Sequence, residues 1–369
     1  MKKQKMTYSQ TGVNYSAMDP VKLLAQLRAK STGTNLNRFG MTEVGESRGE
    51  SAYVWEEKDS YRAFVIEGLG TKNIVADETR KITGKTHYDA IAQDAVAMIV
   101  NDLIVVGADP QVVNAYFAVG NSDWFSDEER SRDLVEGWAK ACDITGATWG
   151  GGESPTLTGI VNPETIDLGG SAIGIINPKA RLTLGDKLSE GDSIILIESS
   201  GIHSNGLTLA RKIATLLPKG YASKLSDGKG YGESILTPTQ IYAALVRDLF
   251  ENEIDIHYMV NITGHGWRKL MRANKEFSYV ITSIPQPQPI FDFLQKHSGN
   301  DNQEMYGNFN MGAGFAIFVK SRDAENTIKI AKKHKFKAIN SGTVEKGERR
   351  VVIKPLDIIF KGESLKVRA

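Results

Sequence analysis

The hydrophobic positions of this chain fall in short, dense runs, each closed by a polar stretch that carries glycine. Residues 62–67 (RAFVIE) read as a strand running into the glycine loop 68–72. Residues 88–107 are apolar almost throughout and predict a helix, 112–119 suit a buried strand, and 127–141 suit an amphipathic helix. WGGGES (149–154) reads as a glycine loop ahead of a strand at 168–176. Beyond Asn177-Pro178 the alternation resumes with a strand at 193–198, a loop at 199–206 and a helix at 207–217. Thr237, Pro238 and Gln240 predict a further helix start, with Thr237 as N-cap, Pro238 in the first position and Gln240 completing a capping box. A strand near 257–262, the turn NITGHG, an extended connector at 284–289, a strand at 313–320, a Lys/Ala-rich helix and two β-type runs complete the pattern. Residues 1–60 are polar and glycine-rich and read as an arm or loop. Strands alternating with helices define an α/β or α+β protein.

Length and charge narrow the class. At 369 residues the chain exceeds what one hydrophobic core supports, so two domains are expected, with the boundary near 177. Lys and Arg number 45 against 44 Asp and Glu. A net charge of +1 offers no global field for nucleic acid or an anionic membrane, which leaves a small molecule as the expected partner. Cys142 is the only cysteine, which excludes an internal disulfide and a thiolate zinc cluster and reads as a small buried side chain. The basic start lacks the apolar run of a secretory signal, and no run approaches the ~20 residues needed to cross a bilayer. The chain reads as cytoplasmic.

Four constellations carry candidate chemistry. In 67–72 (EGLGTK), glycines at a strand end let backbone N–H groups approach a phosphate, Lys72 adds a charge, and Glu67 is placed to ligate Mg²⁺; an ordinary strand-to-loop turn explains the same residues. On the apolar helix, Asp94 and Asn101 are seven apart and share a face, with Asp102 a little round from it. Polar groups on so apolar a segment need partners, either a metal or nearby backbone to brace. Gly150, Gly151 and Gly152 cost conformational entropy on ordering and make sense where a ligand or another backbone comes close, with Glu153 beside them; a tight turn is the plainer reading. In SSGIHSNG, Ser204 or Asn205 can cap the following helix, whereas His203 suits phosphate binding or proton handling, with a structural role the plainer reading of a lone histidine. The common nucleotide motifs fail: Thr79 stands where a P-loop needs glycine, Asn73 where a dinucleotide fingerprint does, and Ile202 where a nucleophile elbow does.

Taken in order, these segments resemble aminoimidazole ribonucleotide synthetases. The likeness runs through residues 8–13 (Y-x-x-x-G-V), EGLGTK at 67–72, DAVAMIVNDL at 94–103, GGE at 151–153, HSNGLTLAR at 203–211, LTPTQIY at 236–242, NITG at 261–264, PIFDFLQK at 289–296 and EMYGNFNMGAG at 304–314. It implies a two-domain synthetase fold of α/β (α+β) class. The N-terminal sheet would join that of a second copy in a dimer barrel, making a homodimer, and the C-terminal α/β domain would close the cleft. The implied division is an N-terminal arm and mobile loop at 1–60, an ATP-binding and dimerisation domain at 61–177 and a C-terminal domain at 178–369.

The resemblance further implies ATP and Mg²⁺ as cofactors and a ribonucleotide as substrate. Formylglycinamidine ribonucleotide would be closed to aminoimidazole ribonucleotide after phosphorylation of its formyl oxygen. In that scheme Glu67, Asp94, Asp102 and Glu153 hold Mg²⁺, and Gly68, Gly70, Thr71 and Lys72 meet the nucleotide with Asn101, Gly151 and Gly152. Lys72, His203 and Asn205 form the catalytic set, and Asn310 and Gly312 border the cleft. This sequence departs from the family pattern where Glu67 replaces aspartate, Thr156 replaces an acidic residue and His265 replaces glycine. A related ATP-dependent synthetase or kinase with another substrate, and a catalytically silent nucleotide-binding subunit, are the alternatives.

Overall fold

The computed structural model of the protein describes residues 15–368, and the 8–13 motif lies outside them. The polar N-terminal stretch, expected as arm or loop, contains helix α1 (Tyr15–Lys30) and strands β1 (Thr42–Glu43) and β2 (Tyr53–Glu56). Strand β3 (Tyr61–Gly68) follows, with Ala63 and Val65 buried and Phe64 and Ile66 exposed, as period-two alternation on a one-sided sheet requires. Helices α2 (Lys72–Thr83) and α3 (Tyr88–Ile104) come next, then β4 (Asp109–Val119), α4 (Glu128–Thr145), β5 (Thr148–Glu153) and β6 (Ile166–Ile176). These strands form a six-stranded sheet ordered β1-β2-β3-β6-β4-β5, antiparallel except where β5 runs parallel to β4. It is an open sheet, not a closed barrel within one chain. Helix α3 lies against β3 and β6 on the inner face and packs on α4, which accounts for its apolar surface.

The GGG segment, expected as a loop, is the edge strand β5. A Cβ on Gly152 would lie 2.1 Å from the Ala115 carbonyl oxygen, so close approach of neighbouring backbone accounts for glycine there.

The second sheet begins with β7 (Ser193–Glu198), followed by α5 (Leu207–Leu216), α6 (Tyr231–Ile235), α7 (Ala243–Glu251), β8 (Ile256–Asn261) and β9 (Phe277–Ile281). Helices α8 (Pro289–Ser298) and α9 (Asn302–Asn308), β10 (Ala313–Val319), α10 (Ala324–Lys333), β11 (Ala338–Lys346), β12 (Arg350–Ile353) and β13 (Ile358–Lys361) complete it. The order is β13-β12-β9-β11-β7-β10-β8, with β12 and β9 the parallel pair. Every residue of β10 and β8 is buried, which explains the unbroken apolar run of β10; in β8 the buried His257 and Asn261 are held by Asp192 and Asp102.

The helix expected to start at 238 begins instead at Ala243. No local capping box forms, because side chains of α3 serve the preceding backbone. Asp94 accepts from the Thr239 N–H at 2.8 Å, and Asn101 Oδ1 accepts from the Tyr242 N–H at 3.0 Å. Asn101 Nδ2 donates to the Gln240 carbonyl and Gln93 Nε2 to the Thr239 carbonyl, each at 2.8 Å. The shared face of Asp94 and Asn101 is thus a brace between the two halves of the chain.

Candidate active site

A cavity of about 400 Å³ opens where the end of β3, the later turns of α3 and the loop after β8 meet. Glu67, Asp102 and Asn205 line it, with His265, Lys269 and Arg272 from the loop and turn that follow β8. Glu67 closes the alternating β3 strand, and Asp102 is carried by α3 on a face apart from the Asp94 brace. Their carboxyls are within hydrogen-bonding reach of each other. Burial first, and then repulsion from Asp102, push the Glu67 carboxyl up to about 7. Asn261 Nδ2 donates to Asp102 Oδ1 at 2.6 Å.

Lys269 balances this acidic pair. Its ammonium donates to the Asn261 carbonyl at 3.1 Å and to the Thr263 hydroxyl. Burial brings it down to about 8 against the opposing pull of Asp102. Burial, reinforced by Lys269 and Arg268, holds His265 down at about 3, so its imidazole is neutral. Lys269 and Arg272 carry no motif signal. A lysine buried in a turn is ordinary in sequence, and only the fold reveals that it faces two carboxylates.

The remaining expected site residues lie elsewhere. Lys72, at the start of α2, points away from the cavity into a fully buried ion pair with Asp94 at 2.7 Å and donates to the Thr237 carbonyl at 3.0 Å. Gly68 and Gly70 are exposed, and the Thr71 hydroxyl is enclosed without a hydrogen-bond partner. Gly151, Gly152 and Glu153 lie exposed on β5. His203 is buried with φ at +58°, and its Nε2 accepts from the Ser200 N–H at 3.2 Å. Burial, then the nearby Lys72, keeps it down at about 3. Asn310 ties two loops together: Nδ2 donates to the Gly201 carbonyl at 2.9 Å, and Oδ1 accepts from the Gly312 N–H at 3.0 Å and the Ser199 hydroxyl at 2.9 Å. Gly312 lines a separate cavity of about 270 Å³ beside Gln286 and Gln288.

The donor set suits a hard cation. Mg²⁺ is commonly held by one or two carboxylates, with water and phosphate oxygens completing its octahedron. Two adjacent carboxylates that resist simultaneous ionisation fit that demand, and Glu67 with Asp102 supply them. Asp94 stands apart, its oxygens committed to Lys72 and Thr239. Among the described residues no cluster of three or more His, Cys, Asp or Glu forms a closed metal cage.

Two α/β units joined by buried polar braces, with a carboxylate pair between them, define a synthetase-like fold. Residues 49–176 match the family described as AIR synthase related protein, N-terminal domain, and residues 189–354 match its C-terminal domain. The chain belongs to the AIR synthase family. Phosphoribosylformylglycinamidine cyclo-ligase of Methanocaldococcus jannaschii is 36% identical over 343 residues, covering 92% of each chain. The cyclo-ligase of Pyrococcus horikoshii is 35% identical over 354 residues, covering 95% of this chain and 98% of that one. Among solved structures, a HypE–HypF complex matches with a TM-score of 0.58 at 17% identity, covering 83% of this chain and 90% of that chain. AaThiL complexed with AMPPCP and TMP also gives 0.58, at 14% identity, covering 85% and 90%. Both share the fold. No helix among the described residues is long and apolar enough to cross a membrane.

Proposed function

We propose that the protein closes formylglycinamidine ribonucleotide to aminoimidazole ribonucleotide at the expense of ATP, in purine biosynthesis. The observation that carries the reading is the Glu67–Asp102 pair in a cavity between the two family units, joined to near-full-length likeness to named cyclo-ligases. The formyl oxygen is a poor leaving group until phosphorylated, after which the amidine nitrogen displaces it. Catalysis then consists of positioning and of neutralising charge on the transferring phosphoryl group. Mg²⁺ held by Glu67 and Asp102 would supply that neutralisation. Lys269 keeps the pair from repelling itself apart, and Asn205 offers an amide to the substrate. Lys72, Asp94 and Asn101 serve the site by fixing α3 against the second unit.

A homodimer accompanies this reading. Phe64 and Ile66 are 41% and 73% exposed on the outer face of β3, an apolar surface suited to a second copy of the sheet. The enzyme would act in the cytoplasm, where phosphorylated metabolites and ATP are available. The test is incubation of the purified protein with ATP, Mg²⁺ and formylglycinamidine ribonucleotide, scoring the aminoimidazole product. ATP turnover without that product would reject the ring-closing assignment while keeping an ATP-dependent enzyme.

A further inference from the structure

The cavity has a wall outside both regions matched to the family. Helix α1 and residues 365–368 lie beyond 49–176 and 189–354, yet Lys22, Gln26 and Lys366 line the same space as Glu67 and Asp102. The 365–368 segment is firmly held. Leu365 is buried and its carbonyl accepts from Arg349 Nη2 at 3.1 Å, while the Val367 carbonyl accepts from Gln26 Nε2 at 2.9 Å. Arg368 donates to the carbonyls of Glu46 at 2.8 Å and Arg48 at 2.7 Å and pairs with the Glu50 carboxylate. The Glu50 side chain is itself buried, accepting from the Tyr258 hydroxyl at 2.8 Å and lying 3.7 Å from Arg272 Nε. Gly49, at φ +87°, makes the crossing possible: a Cβ there would sit 2.5 Å from Arg368 Cγ and 2.7 Å from the Val367 carbonyl oxygen.

Between these pins stands Lys366. Arg272 is balanced by Glu50 and Lys269 by the carboxylate pair. Lys366 forms no ion pair with the described residues, and this exposed lysine lines a cavity that must take a phosphorylated substrate. An ammonium on a fixed backbone loses less freedom on meeting an anion than one on a free segment.

We propose that residues 365–368 form a strap completing the cavity, and that Lys366 binds a phosphate group there, either of the ribonucleotide substrate or of the nucleotide. Arg368 is a positioning residue that fixes the strap through Glu50. The proposal rests on the ring-closing reading for the identity of the ribonucleotide, but the chemistry it tests is phosphate binding.

Calorimetric titration of the full chain with formylglycinamidine ribonucleotide, with the matching riboside lacking phosphate, and with ATP provides the test. K366A is expected to weaken one phosphorylated ligand by about tenfold, leave the riboside unchanged, and recover in K366R. The ligand affected identifies the phosphate. R368A should show the same selective loss without touching the cavity; if it melts early, K366A decides alone. Unchanged affinity for both phosphorylated ligands, or an equal loss for the riboside, would overturn the proposal. Wild-type protein that binds no ribonucleotide would instead sink the ring-closing reading, leaving the ATP titration to decide the strap.

Discussion

The Lys72 ammonium stands 2.7 Å from the Asp94 carboxylate, and both side chains are wholly shut off from solvent. Burial drives the lysine down and the carboxyl up; each is drawn back by the other, and the carboxyl also by hydrogen bonds from Thr239. Lys72→Ala leaves a buried carboxylate uncompensated, and the expected cost is roughly 3–5 kcal/mol. Lys72→Met combined with Asp94→Leu should cost less than either single change. Urea denaturation of the four proteins measures this. A K72A variant of normal stability that has lost ATP binding would return Lys72 to the nucleotide.

Asn101 makes a different demand on the same helix. Asn101→Leu removes the acceptor for the Tyr242 N–H and the donor to the Gln240 carbonyl, both enclosed between the two halves. A loss of about 2–4 kcal/mol is expected, in the lower part of the range for two orphaned backbone groups at about 1–3 kcal/mol each. Hydrogen exchange at the Tyr242 amide should accelerate in step.

At the proposed metal site, Glu67 would make Mg²⁺ binding depend on pH. Its native carboxyl titrates near 7, above its ordinary value of 4.5, so in the metal-free protein its stability contribution is full below 4.5 and fades as pH rises through 7. A cation needs the ionised form, so Mg²⁺ affinity should climb between about pH 6 and 8 with release of a proton. The metal-induced rise in melting temperature should grow over that window. Glu67→Gln should flatten the dependence, and an unaltered pH profile in that variant would remove Glu67 from the metal site.

The glycines of β5 separate by environment. Gly152→Ala drives a methyl into the Ala115 carbonyl and should destabilise by several kcal/mol or detach the edge strand. Gly151→Ala meets no atom within 4 Å and carries only the strain of φ +124°, for about 1–2 kcal/mol. Thermal melts of the two variants distinguish them.

The exposed apolar pair on β3 tests the homodimer. Ile66→Asp should yield a monomer in sedimentation velocity while preserving the far-UV circular dichroism. A wild-type monomer at micromolar concentration would exclude the β3 face as a dimer contact.

Where periodicity was strong, the sequence was readable: α3 and the strands β4, β6, β7 and β10 lie close to where their apolar runs placed them. The spacing of Asp94 and Asn101 also showed that they share a face, but not what meets it, because the partners at 239–242 are far along the chain. That hidden partnership is why Thr237-Pro238-Thr239-Gln240 suggested a helix start that the fold does not use. Glycines hid β5, since a strand without side chains shows no alternation. Of the residues lining the cavity, Glu67, Asp102 and Asn205 were visible through local motifs. Lys269, Arg272 and Glu50 were not, because a buried charge becomes evident only when its counter-charge arrives from another element.

Helix α3 carries Asp102 to the cavity and, through Asp94 and Asn101, grips the backbone ahead of α7. Pulling the halves apart would therefore take hydrogen-bond partners from Lys72, Asp94, Asn101 and several peptide groups in the same event. Such a molecule should melt as a single cooperative unit despite its two sheets, in one calorimetric peak whose van't Hoff and measured enthalpies agree.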